Sequence, residues 1–573
     1  MGGNDMVNRH NETRRLVRLT ALAACCLALL GVAAAPVHAA TLTWGTSGTG
    51  GSGTWTATDG WWNGTTQQTW SNATPDDAIF GGTGGTITLA GGTTTAGSIT
   101  FNPFTGSYTI GTASQTLAIN GGGITLNAGA GAVTIQNSPI TLGAAQSWTN
   151  DSSSLLTVSS GITNGGNLLT VAGSGNATLS GAIAGTGGLT KSGNGTVMLS
   201  GVSTYSGTTT VNGGLLTSNT ATSGVGLSSF GTGPIQIGAS GTLQLTGSNG
   251  GTQSGPSFAA FYENGYTNTV SGSGTLQLLG QSGNFSVNYS GDLSGFTGTV
   301  SATAAAGTLV GFGNTSTMSL NATGSNARFV VSGAGSFLGV LGTTGTIAMG
   351  ELSGDGRING SLNRATTWEI GALSTSSTFS GRINNDTTGL SGTANLSSLR
   401  KVGTGTLTLT GTNGYSGGTT ISAGRLAFAG NGVLGSGSYA GTIANAGELV
   451  FGSDAAQTLS GTISGTGSLV KAGAGTLTLS VANTYTGPTT VNGGLVVGSN
   501  LRSFGTGTIA LGSSGTIRLT AQASGTQNSF LAAGAYYSDG YKNAVSGSGV
   551  IEVVGLSNLY SVNYSGDLSQ FSG

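Results

Sequence analysis

The sequence predicts an all-β fold, an elongated parallel β-helix (β-solenoid) preceded by a signal peptide. Three observations carry that prediction: a glycine-rich, charge-poor composition, a Lys-to-Tyr unit repeated with fixed internal spacing, and an apolar N-terminal run behind four arginines. Of 573 residues, 110 are glycine, 7 are proline and 6% are charged, against about 25% charged in ordinary globular chains. Glycine costs a helix interior roughly 1 kcal/mol relative to alanine, and threonine loses rotamer freedom there, which leaves strands and turns. A 36% hydrophobic share set in short alternations separates the chain from a flexible Gly/Ser linker.

Residues 1–39 read as the export signal. Arg9, Arg14, Arg15 and Arg18 form a basic region, Leu19 to Ala35 is uncharged and apolar, and Val37-His38-Ala39 offers a small-residue cleavage site. Thr13-Arg14-Arg15 and Leu22-Ala23-Ala24-Cys25 keep twin-arginine and lipoprotein export as alternatives. Cleavage after Ala39 would remove His10, His38, Cys25 and Cys26, which are every histidine and cysteine in the chain. The remainder then has no disulfide, no Cys/His zinc site and no Ser-His-Asp or Cys-His pair. It keeps 12 of the 16 basic and 15 of the 17 acidic groups. These are too dispersed for a nucleic-acid surface, which needs clustered Lys and Arg.

The repeat unit appears three times. Lys191-Ser192-Gly193-Asn194-Gly195-Thr196 leads to Tyr205, Lys401-Val402-Gly403-Thr404-Gly405-Thr406 to Tyr415, and Lys471-Ala472-Gly473-Ala474-Gly475-Thr476 to Tyr485, with the same Lys-to-Tyr spacing in each. Within it, Thr406-Leu407-Thr408-Leu409-Thr410 alternates as a strand with one buried face does. Gly417-Gly418 marks a turn, and Thr419-Thr420-Ile421 and Arg425-Leu426-Ala427-Phe428 mark further strands. Coils of roughly 20 to 25 residues, each adding about 4.8 Å, predict a rod on the order of 100 Å long. A longer duplication relates residues 181–298 to 461–573, with Asn288-Tyr289-Ser290-Gly291-Asp292 matching Asn563-Tyr564-Ser565-Gly566-Asp567. Because the second copy stops inside the unit, the expectation is a truncated chain. The expected division is 40–125 as an N-terminal Trp-rich capping region and 126–573 as the solenoid.

Leu469-Val470-Lys471-Ala472-Gly473-Ala474-Gly475-Thr476-Leu477-Thr478-Leu479-Ser480, followed by Asn483-Thr484-Tyr485 and Thr489-Thr490-Val491-Asn492-Gly493-Gly494, resembles the autotransporter-associated β-strand repeat. The resemblance covers residues 463–496, 400–428 and 183–216. It implies a right-handed parallel β-helix passenger held outside the cell by a C-terminal outer-membrane barrel. No block of alternating spanning strands with aromatic girdles is seen in this chain, so that translocator is expected of the family but not found here. The expectation is an exported structural or adhesin-like passenger, extracellular or at the cell surface, and periplasmic if unanchored. Surface glycans or proteins are its expected ligands, nucleic acid is not, and no catalytic, cofactor or metal residues are assigned. The alternative is a secreted carbohydrate-binding or polysaccharide-degrading β-helix protein.

Candidate chemistry has to be set against ordinary packing. Trp44, Trp55, Trp61, Trp62 and Trp70 lie close together and read as a core-closing cap, with a sugar-stacking surface as the rival. Asp76 and Asp77 are adjacent on a strand, so they point to opposite faces and do not pair as acid and base. Glu351, Asp355, Arg357 and Arg364 form the nearest mixed cluster and read as a solvated loop. Ser398 to Lys401 and Ser468 to Lys471 match a Ser-x-x-Lys motif, yet both fall at the same place in the repeat. Phe258, Phe261, Tyr262 and Tyr266, with their counterparts Phe530, Tyr536, Tyr537 and Tyr541, read as loop packing or as excursions that meet partners.

Overall fold

A computed structural model of the chain describes residues 40–218, 229–246, 266–280, 287–304, 310–312, 325–333, 337–340, 345–360, 365–385, 396–520, 540–555 and 562–573. The expected signal segment 1–39, Arg364, and the aromatics Phe258, Phe261, Tyr262, Phe530, Tyr536 and Tyr537 lie outside them. The fold is an all-β parallel solenoid. Among the described residues the helical elements are two short 3-10 turns.

Three short strands make one turn. In the first repeat they are Ala177–Leu179, Ile183–Ala184 and Leu189–Lys191, after which Thr196–Leu199 returns to lie on Ala177–Leu179 in parallel register. The ladder Leu169, Leu189, Thr209 advances by one constant step per coil. Strand parity explains the core: Leu407 and Leu409 point inward and are buried, whereas Thr406 and Thr408 face outward. Inward residues stack on their own kind in successive coils. Phe428 lies over Phe451 at 5.3 Å and 15°, and Phe80 over Phe101 at 5.1 Å and 18°.

Parallel winding starts well before residue 126. Thr41–Trp44 already pairs in parallel with Asp77–Thr83, and Ile99 with Ile124. The Trp-rich region is therefore wound into the coil. Its one departure is a small antiparallel excursion, in which Trp61–Trp62 pairs with Thr41–Trp44 and with Gln67–Gln68. That excursion brings Trp44, Trp55, Trp61 and Trp70 into the core against Phe80, with Trp61 5.1 Å from Trp44 and 4.5 Å from Trp70. Indole rings are large enough to fill the core cross-section at this level of the coil.

The third repeat is turned relative to the other two. The strand of Lys401 stacks on Thr419–Ile421, Ile443–Asn445 and Ile463–Ser464. Ser468–Lys471 stacks instead on Glu448–Ser453, Arg425–Gly430 and Thr406–Leu409. Lys471 thus stands one face round from Lys401, a third of a turn about the axis. The chain between these lysines does not divide into whole turns, and the coils accept the offset because all three faces bury the same alternating pattern.

In a solenoid each coil is coupled mainly to its neighbours. Trp61→Ala is expected to destabilise the first coils by about 3–5 kcal/mol. Amide exchange should then show protection lost across residues 41–105 and unchanged across 469–520. Loss of protection along the whole rod would contradict this local coupling.

Candidate functional site

The feature that recurs in all three repeats is a buried polar corner. Lys191, Lys401 and Lys471 end inward-facing strand positions and are no more than 2% exposed. Lys191 Nζ donates to the carbonyls of Ser192, Gly193 and Gly213 at 2.7, 2.8 and 3.1 Å. Lys401 Nζ donates to Val402, Gly403 and Ala423 at 2.6, 2.8 and 3.4 Å, and Lys471 Nζ to Gly473. An ammonium suits this place because it carries three donors and no acceptor, and the bend leaves carbonyls pointing inward without a strand partner. Burial pushes Lys191 and Lys401 down to about 8 and lowers Lys471, where Asp454 works in the opposite direction.

One coil further on, the chain turns the same corner on Val-Asn-Gly-Gly in the first and third repeats. Gly214 and Gly494 adopt φ of +63° and +67°. A Cβ on Gly214 would lie 2.5 Å from the Gly195 carbonyl oxygen, and one on Gly494 2.4 Å from that of Gly473. Only glycine satisfies both the left-handed backbone and the close approach of the coil below.

Between the lysine and this corner the repeat has a segment without a strand, and side chains supply the missing rungs. Asn483 Oδ1 accepts from the Ile463 N–H at 2.7 Å, while its Nδ2 donates to the Ser503 carbonyl at 2.6 Å. Asn413 accepts from Ile383 N–H at 3.1 Å, and Ser203 Oγ from Ile183 N–H at 3.1 Å. The repeat tyrosine points into the core, where its hydroxyl meets a threonine four residues on. The distances are 2.6 Å for Tyr205 and Thr209, 3.0 Å for Tyr415 and Thr419, and 2.6 Å for Tyr485 and Thr489. Burial raises all three tyrosines.

The fixed Lys-to-Tyr spacing was visible in the sequence, but what the lysine and asparagine do was not. Read as a pattern, Lys401 is one more polar residue after Leu399. Its inward direction follows only from strand parity, Ser397 and Leu399 being buried as well. That parity also separates the Ser-x-x-Lys residues. Ser398 and Ser468 point outward while Lys401 and Lys471 point inward onto carbonyls.

The other candidates do not converge either. Asp76 is buried, accepts from the Ser71 N–H at 3.2 Å and is raised by burial, whereas Asp77 takes the Ser98 hydroxyl at 2.5 Å. Glu351 pairs with Arg328 at 3.6 Å and accepts from Thr375 at 2.5 Å, and Asp355 accepts from the Gly333 N–H at 3.0 Å. Arg357 lies on another sheet, in register with Arg382. Trp44, Trp55, Trp61 and Trp70 are buried and present no open ring face to a sugar. Tyr266 and Tyr541 are buried too, with hydroxyls 2.6 Å from Ser218 Oγ and 2.7 Å from the Gly498 carbonyl. Among the described residues no group of three or more His, Cys, Asp or Glu comes together.

A charge-poor parallel coil with three copies of one polar corner defines a class, the repeat-built β-solenoids. The passenger-associated-transport-repeat family matches at residues 189–217, 399–428 and 469–497, the segments that carry the lysine corners. In these three segments the chain is similar to autotransporter passenger repeats. It is 38% identical over 100 residues to the adhesin BmaC autotransporter of Brucella suis biovar 1 (strain 1330), an alignment covering 15% of this chain and 3% of that relative. No solved structure matches it.

The corner makes stability depend on pH in two directions. Between about pH 8 and 10 an unfolded lysine keeps its proton while Lys191 and Lys401 give theirs up. The unfolded state then binds more protons, so stability rises with pH. Above the ordinary tyrosine value of 10.0 the buried tyrosines hold protons that unfolded ones release, so stability falls. Replacing Lys191, Lys401 and Lys471 by methionine should lower the denaturation midpoint, by about 1–3 kcal/mol per corner. It should also erase the rise while leaving the fall, as read by urea titration from pH 7 to 11.

Proposed function

We propose that the chain is a non-enzymatic surface rod whose outward residues make adhesive contacts with glycans or proteins. The observation that carries this reading is where the polar chemistry goes. The recurrent lysines and asparagines are spent inside the coil on backbone groups, and the tyrosines on threonine hydroxyls. The carboxylates Asp76, Asp77, Glu351 and Asp355 are each engaged separately. A glycosidase or lyase needs two or three such groups on one substrate.

Passenger repeats and an adhesin relative support export to the cell surface or beyond, and a stiff parallel rod provides reach. Extended solenoid surfaces are suited to wide, shallow contacts. Beads coated with the purified chain are expected to be retained on matrix proteins or on a glycan array several-fold above beads coated with albumin. The same protein should release neither reducing nor unsaturated ends from a polysaccharide panel. Retention equal to the albumin control, or sugar release, would overturn the proposal.

A further inference from the structure

Among the described residues, Arg–Glu pairs join adjacent coils, and in every case the two residues are direct partners in the parallel ladder. They are Arg328 with Glu351, Glu369 with Arg400, Arg425 with Glu448, and Arg518 with Glu552. Each of these partners is further along the chain from its mate than Leu189 is from Leu169, or Thr209 from Leu189. On the short, regular coils the facing outward residues are instead neutral, as in Thr170, Thr190 and Thr210, or Val470, Thr490 and Ala510. Charge pairs therefore stand on steps longer than the shortest coils, while a neutral pair, Thr134 with Thr157, occupies a step equal to that of Arg425 with Glu448.

The long duplication supplies an internal comparison. Arg518 and Glu552 occupy the places of Gln244 and Gln277 in the first copy, at matching positions of the strands Ile509–Thr520 and Ile235–Thr246, and of Val550–Val554 and Thr275–Gly280. There the same ladder position holds an amide pair, Gln244 Nε2 donating to Gln277 Oε1 at 2.8 Å, with Thr217 Oγ1 donating to Gln244 Oε1 at 2.9 Å. In the second copy Arg518 Nε donates to Glu552 Oε2 at 2.6 Å. Two chemistries thus occupy one place, each joining two strands that lie far apart in sequence.

We infer that these facing pairs, Gln244–Gln277 and Arg518–Glu552, are register locks that fix the pairing of two strands separated by a long stretch of sequence. Hydrophobic alternation does not do this alone. A slip of two residues returns every apolar side chain to the core face, so Ile551 and Val553 would keep their faces in either register. The outward column does discriminate. A two-residue slip would set Arg518 against Val550 or Val554 in place of Glu552. Loop-closure entropy grows only slowly with length, so the lock, and not the number of residues between, sets the pairing. The number of residues between the paired strands can then vary without disturbing their register.

In-register partners in a parallel ladder lie about 4.8 Å apart, within reach of a disulfide, which gives a direct readout. In the full chain with Cys25→Ser and Cys26→Ser, Thr516→Cys/Val550→Cys reports the native register and Thr516→Cys/Ser548→Cys reports a two-residue slip. Thr242→Cys/Thr275→Cys does the same for the first copy. After refolding in a redox buffer, Glu552→Arg is expected to lower the native disulfide about fivefold and raise the slipped one. The exchanged pair Arg518→Glu/Glu552→Arg should restore it. Arg518→Gln/Glu552→Gln, which installs the amide pair of the first copy, should keep it. At 1 M salt, where screening acts within about 3 Å, the yield should fall in the second copy and hold in the first. An unchanged native disulfide in Glu552→Arg would overturn the lock. If that variant does not regain its β circular dichroism signal, the glutamine variant decides. A native yield with no salt dependence supports the inference, and a fivefold loss overturns it. Neither result depends on whether the rod binds a surface.

Discussion

The constraint on which the whole structure depends is the turn between faces. Strands in a parallel coil satisfy one another's N–H and C=O groups, but three bends per turn aim carbonyls inward, away from water and from any strand. An unpaired buried backbone group costs about 1–3 kcal/mol, and the defect would recur along the axis. The repeat answers with a buried lysine over carbonyls, an asparagine in place of a rung, and a tyrosine bonded to threonine. Glycine then takes the sharpest bend, where a Cβ would meet backbone.

This explains why a charge-poor protein places its few lysines in the core. A buried ammonium without a counter-ion is costly, yet its fork of donors replaces several separate caps. The lowered lysines and the raised tyrosines are two sides of that arrangement. In each, a titratable group is held where its position matters more than its charge. Near Trp44 and Trp61 the same narrow core is filled by indoles that pack on one another and on Phe80.

Strand parity was legible in the sequence. Thr406 to Leu409 read as alternating and is alternating, and the three Lys-to-Tyr units coincide with the three family matches. The opposed directions of Asp76 and Asp77 followed from the same rule. What parity hides is rotation and register. The third repeat looks identical to the second in sequence but winds one face round, because that depends on the residues between them. The beginning of the coil was hidden as well, since the tryptophans distract from a parallel strand at Thr41–Trp44 that pairs with Asp77–Thr83. Lys401 was read as spacing when it is a cap, because a polar residue in an alternating pattern says nothing about which backbone atoms it will meet.

A uniform repeat has a weakness that follows from its strength. Every coil can accept every other, so hydrophobic pattern and backbone pairing are both nearly indifferent to a slip by two residues or to a turn by one face. The turned third repeat shows that this indifference is used: Lys471 sits as well on its face as Lys401 does on another. Information about register therefore has to come from outward positions, where composition is otherwise uniform and polar. In such a background a single Arg–Glu or Gln–Gln pair is distinctive, although an exposed pair contributes only about 0–1 kcal/mol to stability. Its value lies in the difference between one register and the next. That is why charges so rare in this chain stand opposite one another across coils.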